Sequence, residues 1–332
     1  FRLSPGARSA MSARRIVAAL LAFVGLMSGT VKAAFPDKPI RIVIGFPAGG
    51  PLDQHIRLLS TRLTASLGQP VVIDYKAGAG GTIGAQFVAQ SPADGYTLLL
   101  ANTGTLVINP AIYTQKPYDT LRDFVPVART AQQALALIVN DRVPVKTLKE
   151  FVQYAKANSG KLNYGSAGNG GISHLVPEML KTETKISIVH IPYKGTAPAF
   201  TDLMAGHVDF MADSIPQAVN HVKDGKIRVL AVTSSRRNPA LSGVPTVIET
   251  GVASLDVVGF YGILASKGTP TEVVRRLSLA FKEALDAPEI QKTMSDQGSE
   301  AAWLAPEQFA AFLNREMPRW AQAVKSAGAK LD

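Results

Sequence analysis

The pattern of apolar and polar positions alternates between two periods along the chain. Ile40, Ile42, Val43, Ile44 and Phe46 form an apolar run of strand length. Pro47-Ala48-Gly49-Gly50 breaks the run, and Leu52, Ile56, Leu59, Leu63 and Leu67 then recur at helical spacing up to Gly68. The pattern predicts a strand, a tight glycine turn and an amphipathic helix. Pro51 fits the first helical position, and Asp53 favours the helix start electrostatically. A helix N-terminus presents N–H groups without intrahelical partners and a partial positive charge. Glycines beside it let a ligand reach the backbone, so this turn is a candidate anion cradle. It is equally the turn any α/β domain uses to pass from strand to helix.

The same grammar repeats downstream. Val71–Tyr75 is a second strand, leading into Lys76-Ala77-Gly78-Ala79-Gly80-Gly81-Thr82-Ile83-Gly84. Ile83 stands where a dinucleotide fingerprint needs its third glycine, so this loop is read as helix–sheet packing. A helix is expected over Thr82–Gln90, a strand over Tyr96–Ala101, and a polar loop at Asn102-Thr103-Gly104-Thr105. That loop lies at a strand's C-terminal end, where open α/β sheets bind ligands. A new series begins around Thr130–Asn140. A helix over Leu148–Ala157 precedes a strand at Leu162–Tyr164, a second glycine-rich loop at Gly165–Gly171 and a helix from Ser173. Further strands are expected at Ile188–Ile191, Val208–Ala212 and Ile227–Val232, with helices at Thr196–Ala205 and Ile215–Lys223. Val257–Ala265 is apolar again. Helices over Thr271–Asp286, Pro288–Asp296 and Pro306–Ala327 close the chain. The apolar crossings near 134 and 257 imply a discontinuous first domain, 34–133 plus 257–332, and a second domain, 134–256. Paired crossings form a hinge, with the ligand cleft between domains.

A chain of 332 residues with 46% apolar content has the length and composition of a large globular core. The formal charge of +10 includes Arg2, Arg8, Arg14, Arg15 and Lys32, and without these five it is +5. No basic run with interleaved aromatics remains, which argues against a nucleic-acid partner. The five cations belong to a segment with the pattern of an export signal: Arg14-Arg15, the apolar Ile16–Met27, and Val31-Lys32-Ala33 before a cleavage site. Residues 1–33 are therefore expected to be removed between Ala33 and Ala34, with Met11 as initiator and 1–10 an upstream extension. The apolar run is shorter than the roughly 20 residues that span a bilayer. The expected compartment is the periplasm. The chain has no cysteine, which excludes disulfides, thiolate nucleophiles and cysteine-bound metals.

Catalytic patterns are thin. The five histidines, His55, His174, His190, His207 and His221, show no zinc-helix spacing. His55 is expected on a solvated helix face and His190 as a satisfied core or edge residue. Asp53 and Asp213 could be imagined as an acid/base pair, but a helix-start charge and a strand-end turn explain them. No nucleophile, base and orienting group are nominated. Tyr193, Phe260 and Tyr261 either line a cleft or pack. Neither a metal nor a cofactor is expected.

The ordered pieces Phe35-Pro36-Asp37-Lys38-Pro39, Pro47–Gly50 with Asp53, Gly78–Gly81, Asp94-Gly95-Tyr96, Ser166–Gly170 with His174, Pro192-Tyr193-Lys194-Gly195 and Val244-Pro245-Thr246 match a known set. The chain from Phe35 onward resembles the Bug-type extracytoplasmic solute receptors of tripartite tricarboxylate transporters. The resemblance implies a type II periplasmic binding fold: two doubly wound α/β domains, a two-crossing hinge, and a carboxylate clasped by backbone N–H groups from both domains. It implies a monomeric receptor, not an enzyme, that binds a small mono- or dicarboxylate, an amino acid or an aromatic acid. Its partners would be transporter membrane subunits or a sensor kinase. The candidate ligand-binding residues are Phe46, Pro47, Ala48, Gly49, Gly50, Asp53, Asn102 and Thr103 in the first domain. In the second they are Ser166, Ala167, Gly168, Asn169, Gly170, Gly171, His174 and Asp213. Two departures from the family pattern, Leu52 and Gly171, each remove a hydroxyl donor and make a less polar acid more plausible than a tricarboxylate. A secreted hydrolase using the same cleft is the competing reading.

Overall fold

The apolar run that opens the pattern is strand β1, Ile40–Ile44, which pairs in parallel with β2, Val71–Tyr75, and β3, Thr97–Asn102. The computed structural model describes residues 35–326; the expected export segment 1–33, its cleavage point and Ala327 lie outside them. Helix α1, Pro51–Leu67, buries all five leucine and isoleucine positions of the predicted stripe. Each such side chain contributes on the order of 1.5–3 kcal/mol when buried. Gly68 ends the helix at φ 70°, and its N–H returns to the Thr64 carbonyl. Helix α2, Thr82–Ala89, follows a single tight turn at Ala79–Gly81.

The expected polar loop after β3 is not a loop. Gly104–Ile108 wind into a wide helical turn that continues as α3, Asn109–Ile112. Leu106, Val107 and Ile108 are fully buried, and a buried backbone must pair its own polar groups, which local winding achieves.

Strand β4 runs for 17 residues, Phe124–Asn140. The polar residues Arg129, Thr130, Gln132 and Gln133 hide its first half from a hydrophobic reading. Then come α4, Leu148–Ala157; β5, Asn163–Ser166; α5, Ile172–Thr184; β6, Val189–Pro192; and α6, Thr196–Ala205. They are followed by β7, Phe210–Ser214; α7, Ile215–Val222; β8, Ile227–Val232; and β9, Val258–Ser266. The chain closes with α8, Thr271–Asp286; α9, Pro288–Asp296; an unexpected strand β10, Glu300–Leu304; and α10, Pro306–Ser326.

The strands join in one mixed sheet in the order β2-β1-β3-β9-β4-β7-β5-β6, with β8 and β10 also paired to β4. The first part of β4, Phe124–Ala134, lies antiparallel to β9. From Leu135 onward its partners are β7 and β8. The register with β9 shifts beside Pro126, a residue with no N–H for the ladder. Phe151 of α4 stacks on Phe210 of β7 with ring centroids 4.7 Å apart, filling the core beneath the second series of strands.

Gly262 is where β9 is held from both sides, opposite Ala101 of β3 and Arg129 of β4. A Cβ there would sit 2.3 Å from Phe309 Cζ. Neither strand can yield, and Phe309 is boxed in by Phe260 and Phe312. Gly262→Ala is expected to destabilise the fold by about 1–3 kcal/mol through overpacking, measured as a lower urea midpoint at unchanged slope.

Candidate functional site

The ends of four strands and the starts of four helices meet around one cavity. It encloses about 780 Å³ of atom-free space including its mouth. Gly50 and Leu52 open α1, Gly171 and Ile172 open α5, Thr196 and Ala197 open α6, and Ser214 precedes α7; all line the cavity. None of these four helices has a side-chain cap. Pro51, Pro198 and Pro216 carry no N–H, but the remaining first-turn N–H groups have no intrahelical acceptor, and these helix starts place partial positive charge at the cavity. Among the described residues, no lysine, arginine or histidine lines this cavity.

Apolar side chains form part of the wall: Phe46, Pro47, Leu135 and Phe260 line it beside Leu52 and Ile172. Thr103 also lines it, but its hydroxyl is committed to strapping β3 to β9. It accepts from the Phe260 N–H at 2.7 Å and donates to the Phe260 carbonyl at 3.4 Å. Asn102 has its Oδ1 taken by the Thr105 N–H at 3.0 Å. Gln133 donates to the Tyr261 hydroxyl.

Asp53 is held as a structural anion. Its carboxylate accepts from the Gly49 N–H at 2.8 Å, from Arg57 Nε at 2.8 Å and from the Tyr75 hydroxyl at 2.6 Å. Burial pushes its pKa up, but the Tyr75, Gly49 and Arg57 bonds together outweigh burial and hold it below the ordinary value. Its effect is to fix the β1–α1 turn. Asp213, at the end of β7, is different. It is 5% exposed, and burial raises its pKa to about 6. Oδ1 accepts from the Ser214 N–H at 2.6 Å and Oδ2 from the Thr196 hydroxyl at 3.1 Å.

Nine of the sequence-nominated residues line the cavity: Phe46, Pro47, Gly50, Asp53, Asn102 and Thr103 from the first series, with Ala167, Gly171 and Asp213 from the second. Gly168 and Asn169 line an adjoining recess with Tyr193 and Lys194. Ala48, Gly49, Ser166, Gly170 and His174 are not on the cavity wall. Gly170 instead packs on α3, where a Cβ would lie 2.5 Å from Asn109 Oδ1. His174 props the loop from behind, its Nδ1 accepting from the Gly170 N–H at 3.3 Å. Its ring stacks on His190 at 4.1 Å, and His190 stacks on Tyr164 at 4.8 Å.

His190 Nε2 lies 2.6 Å from Ser166 Oγ, a serine–histidine pair that sequence spacing did not show. Ser166 is fully buried, and its hydroxyl is engaged by the N–H and carbonyl of Gly168. The pair therefore fastens the loop. His55 corrects the expectation of a solvated face: it is 7% exposed, bonded to Thr130 Oγ1 at 2.9 Å and edge-on to Tyr261.

The loops of the two series touch across the cavity. Gly195 has φ 131°, and a Cβ there would lie 2.8 Å from Pro47 Cδ. Gly80 has φ 62°, and its Cβ would lie 2.7 Å from the Asn169 carbonyl. Both positions need glycine for conformation and for proximity.

The sequence model of the tripartite tricarboxylate transporter family receptors matches residues 56–329. The chain belongs to this family. It is 34% identical over 320 residues to Protein BugT of Bordetella pertussis, covering 94% of this chain and 98% of that one. The solved structure of the periplasmic binding protein BugD is 35% identical, covers 89% of this chain and 99% of that one, and superimposes with a TM-score of 0.86. R. palustris Rpa4515, solved with adipate, is 34% identical, with 90% and 100% coverage and a TM-score of 0.87. The chain shares the α/β fold of the periplasmic binding protein BugD, and here the cavity lies at strand ends.

The two residues noted as departures both face this receptor's cavity: Leu52 adds apolar surface, and Gly171 leaves the α5 N-terminus without a hydroxyl cap. Gln133, Thr196, Ser173 and Ser214 also line it and were not foreseen. Their signal was their place at strand ends or first helical turns, which no local motif marks.

Three partly or fully buried histidines are expected to lower the stability of the fold in mild acid. Burial lowers His55 to about 4, His190 to about 3, and also lowers His174. Each binds its proton more readily in the unfolded chain, so the stability of the neutral form is present above about pH 6.5 and lost as pH falls toward the folded value. Asp213 acts oppositely, binding its proton more readily when folded. The histidines outnumber it. Stability should fall between pH 6 and 4, by up to about 1.4 kcal/mol per unit for each histidine. Urea titrations across this range test it, and His55→Gln should reduce the slope.

Proposed function

We propose that this receptor binds a small organic acid in the periplasm, holds one carboxylate with backbone N–H groups, and delivers it to the membrane subunits of a tripartite transporter. The observation that carries the reading is the convergence of four uncapped helix N-termini on a cavity without a basic side chain. Backbone N–H groups bonded to a carboxylate are charge-assisted and among the stronger hydrogen bonds. The amide nitrogen of Asn102 adds a neutral donor. Adipate in the R. palustris relative supports a carboxylate class. Periplasmic residence rests on the export pattern of 1–33 and on the naming of BugD as a periplasmic binding protein; no described helix is long and apolar enough to cross a membrane.

The proposed working parts are two lobes, 34–133 with 257–332 and 134–256, hinged where β4 exchanges partners. The Gly195–Pro47 and Gly80–Asn169 contacts are then the edges that meet on closure. A hydrolase reading would need Ser166 as nucleophile, and a fully buried, loop-fastening hydroxyl does not fit that role.

Gly50 and Gly171 have ordinary negative φ, −80° and −82°, and a Cβ at either meets no atom closer than 3.6 Å. Valine at either is expected to leave the fold intact and fill ligand space. Loss of two charge-assisted bonds, at roughly 1.5–3 kcal/mol each, weakens binding by about a hundredfold or more. His174→Ala should weaken it far less. A thermal-shift screen of carboxylates finds the ligand, and calorimetric titration of the three variants measures the losses. Unchanged affinity in both valine variants would remove the backbone cradle. Gly170→Val should instead destabilise the fold, because φ is 76° and Asn109 is in the way. Small-angle scattering should show a smaller radius of gyration with ligand; an unchanged profile would count against the hinge.

A further inference from the structure

The helix starts supply donors to the cavity. One part of its wall supplies acceptors instead. Asp213 is the acidic group there whose charge no cation compensates: Asp53 is bonded to Arg57, whereas the hydrogen-bond partners of Asp213 are the Ser214 N–H and the Thr196 hydroxyl. These two donors leave lone pairs on both carboxylate oxygens. Ser214, 5% exposed and lining the same cavity, has a buried hydroxyl that makes no hydrogen bond of normal geometry, although it lies close enough to favour the charged form of Asp213. Tyr261 of β9 lies within electrostatic reach of Asp213. A buried polar atom without a partner is destabilising unless something bonds to it.

We infer that Asp213 and Ser214 form a subsite for a hydrogen-bond-donating substituent on the ligand, a hydroxyl or an ammonium near its carboxylate. This inference rests on the carboxylate reading of the cavity. A donor placed there gives Asp213 a partner for a free lone pair and gives the Ser214 hydroxyl its missing bond. A hydroxyl donates to Asp213 and accepts from Ser214. An ammonium donates to both and also offsets the buried charge. A second, unsubstituted carboxylate in the same place brings acceptor against acceptor and like charge against like charge. At neutral pH Asp213, with its pKa near 6, is mostly ionised and cannot donate in return. The subsite therefore discriminates among acids of one carbon skeleton by what the neighbouring carbon carries. Sites built to bond a polar substituent reject the analogue lacking it, because their own groups are then left unpaired.

The test is calorimetric titration at pH 7.5 with three matched series: propionate, lactate and alanine; succinate, malate and aspartate; phenylacetate, mandelate and phenylglycine. The proteins are the mature parent, Asp213→Ala, Asp213→Asn and Ser214→Ala. In the series that binds, the parent should prefer the hydroxy or amino member over the unsubstituted acid by at least tenfold. Which of the two wins separates a hydroxyl from an ammonium ligand. Asp213→Ala should bring the preference to within about threefold. Asp213→Asn should abolish any ammonium preference while tightening the unsubstituted acid. Ser214→Ala should reduce the preference in part. Circular dichroism identifies any variant that fails to fold, and the remaining Asp213 or Ser214 variants then decide. Binding of acids with no preference in the parent, or a preference that survives in a folded Asp213 variant, overturns the subsite and leaves the receptor reading standing. Binding of no acid from any series overturns the receptor reading and the subsite with it.

Discussion

The structure depends on backbone meeting backbone. Behind Phe46 the β1–α1 turn rests on the loop that opens α2, and a Cβ on Gly45 would lie 2.5 Å from the Gly81 Cα. No side chain separates these segments, so their positions are set by van der Waals contact between main chains, which is stiff. That stiffness fixes where the N-terminus of α1 points. Asp53 completes the arrangement by binding the Gly49 N–H from inside the helix while Arg57 and Tyr75 hold the carboxylate. The turn is thus tied to its own helix and wedged against its neighbour before any ligand arrives. Preorganised donors bind without reorganising, which lowers the free-energy penalty of association.

Receiving an anion with helix starts instead of arginines, as proposed for this cavity, would have a physical consequence. Burying a cation permanently beside the site would leave it unpaired whenever the ligand is absent, and isolated buried charge is strongly unfavourable. Helix N-termini carry only partial charges and remain part of hydrogen-bonded helices when the cavity empties. On the donor side, the site would therefore fill and empty without stranding a buried cation. The same logic makes Asp213 conspicuous: burial raises its pKa to about 6 because the cavity offers it no cation.

Much of this was legible in the sequence, and the exceptions have causes. The bounds expected for helices over Leu148–Ala157, Thr196–Ala205, Thr271–Asp286 and Pro288–Asp296 coincide with those observed. In each case an apolar stripe at helical spacing and clear stop signals agree, so local and tertiary preferences point the same way. Long strand β4 was seen only in its apolar half, because Arg129, Gln132 and Gln133 sit on it for reasons set by distant partners: the Ala302 carbonyl, Glu300 and Tyr261. His55 reads as solvated by type, yet Thr130 and Tyr261, far away in sequence, enclose it. The glycine loops announced themselves because glycine at such density has few uses. Of the wall around Asp213, the sequence pointed to Asp213 and raised Tyr261 as a cleft residue, but Thr196 and Ser214 are ordinary residues that only the fold brings beside them.

That sheet order also joins the proposed hinge to the cavity. Gln133 and Leu135 of β4 flank Ala134, where the strand leaves β9 for β7, and both line the cavity. Gly259, Phe260 and Tyr261, also on the wall, lie opposite Gln133, Gln132 and Ala131. Ligand contact and lobe rotation in the proposed mechanism would therefore act on the same few residues. A solute touching Leu135 or Phe260 would need no relay to reach the proposed hinge, since these residues lie beside the point where β4 changes partners. In that mechanism a change there would alter affinity and closure together, whereas changes at Gly50 or Gly171, on the outer loops, would alter the proposed contacts to the ligand and leave the pivot alone. The division of labour follows from topology: crossing strands form the floor, and helix starts form the clasp.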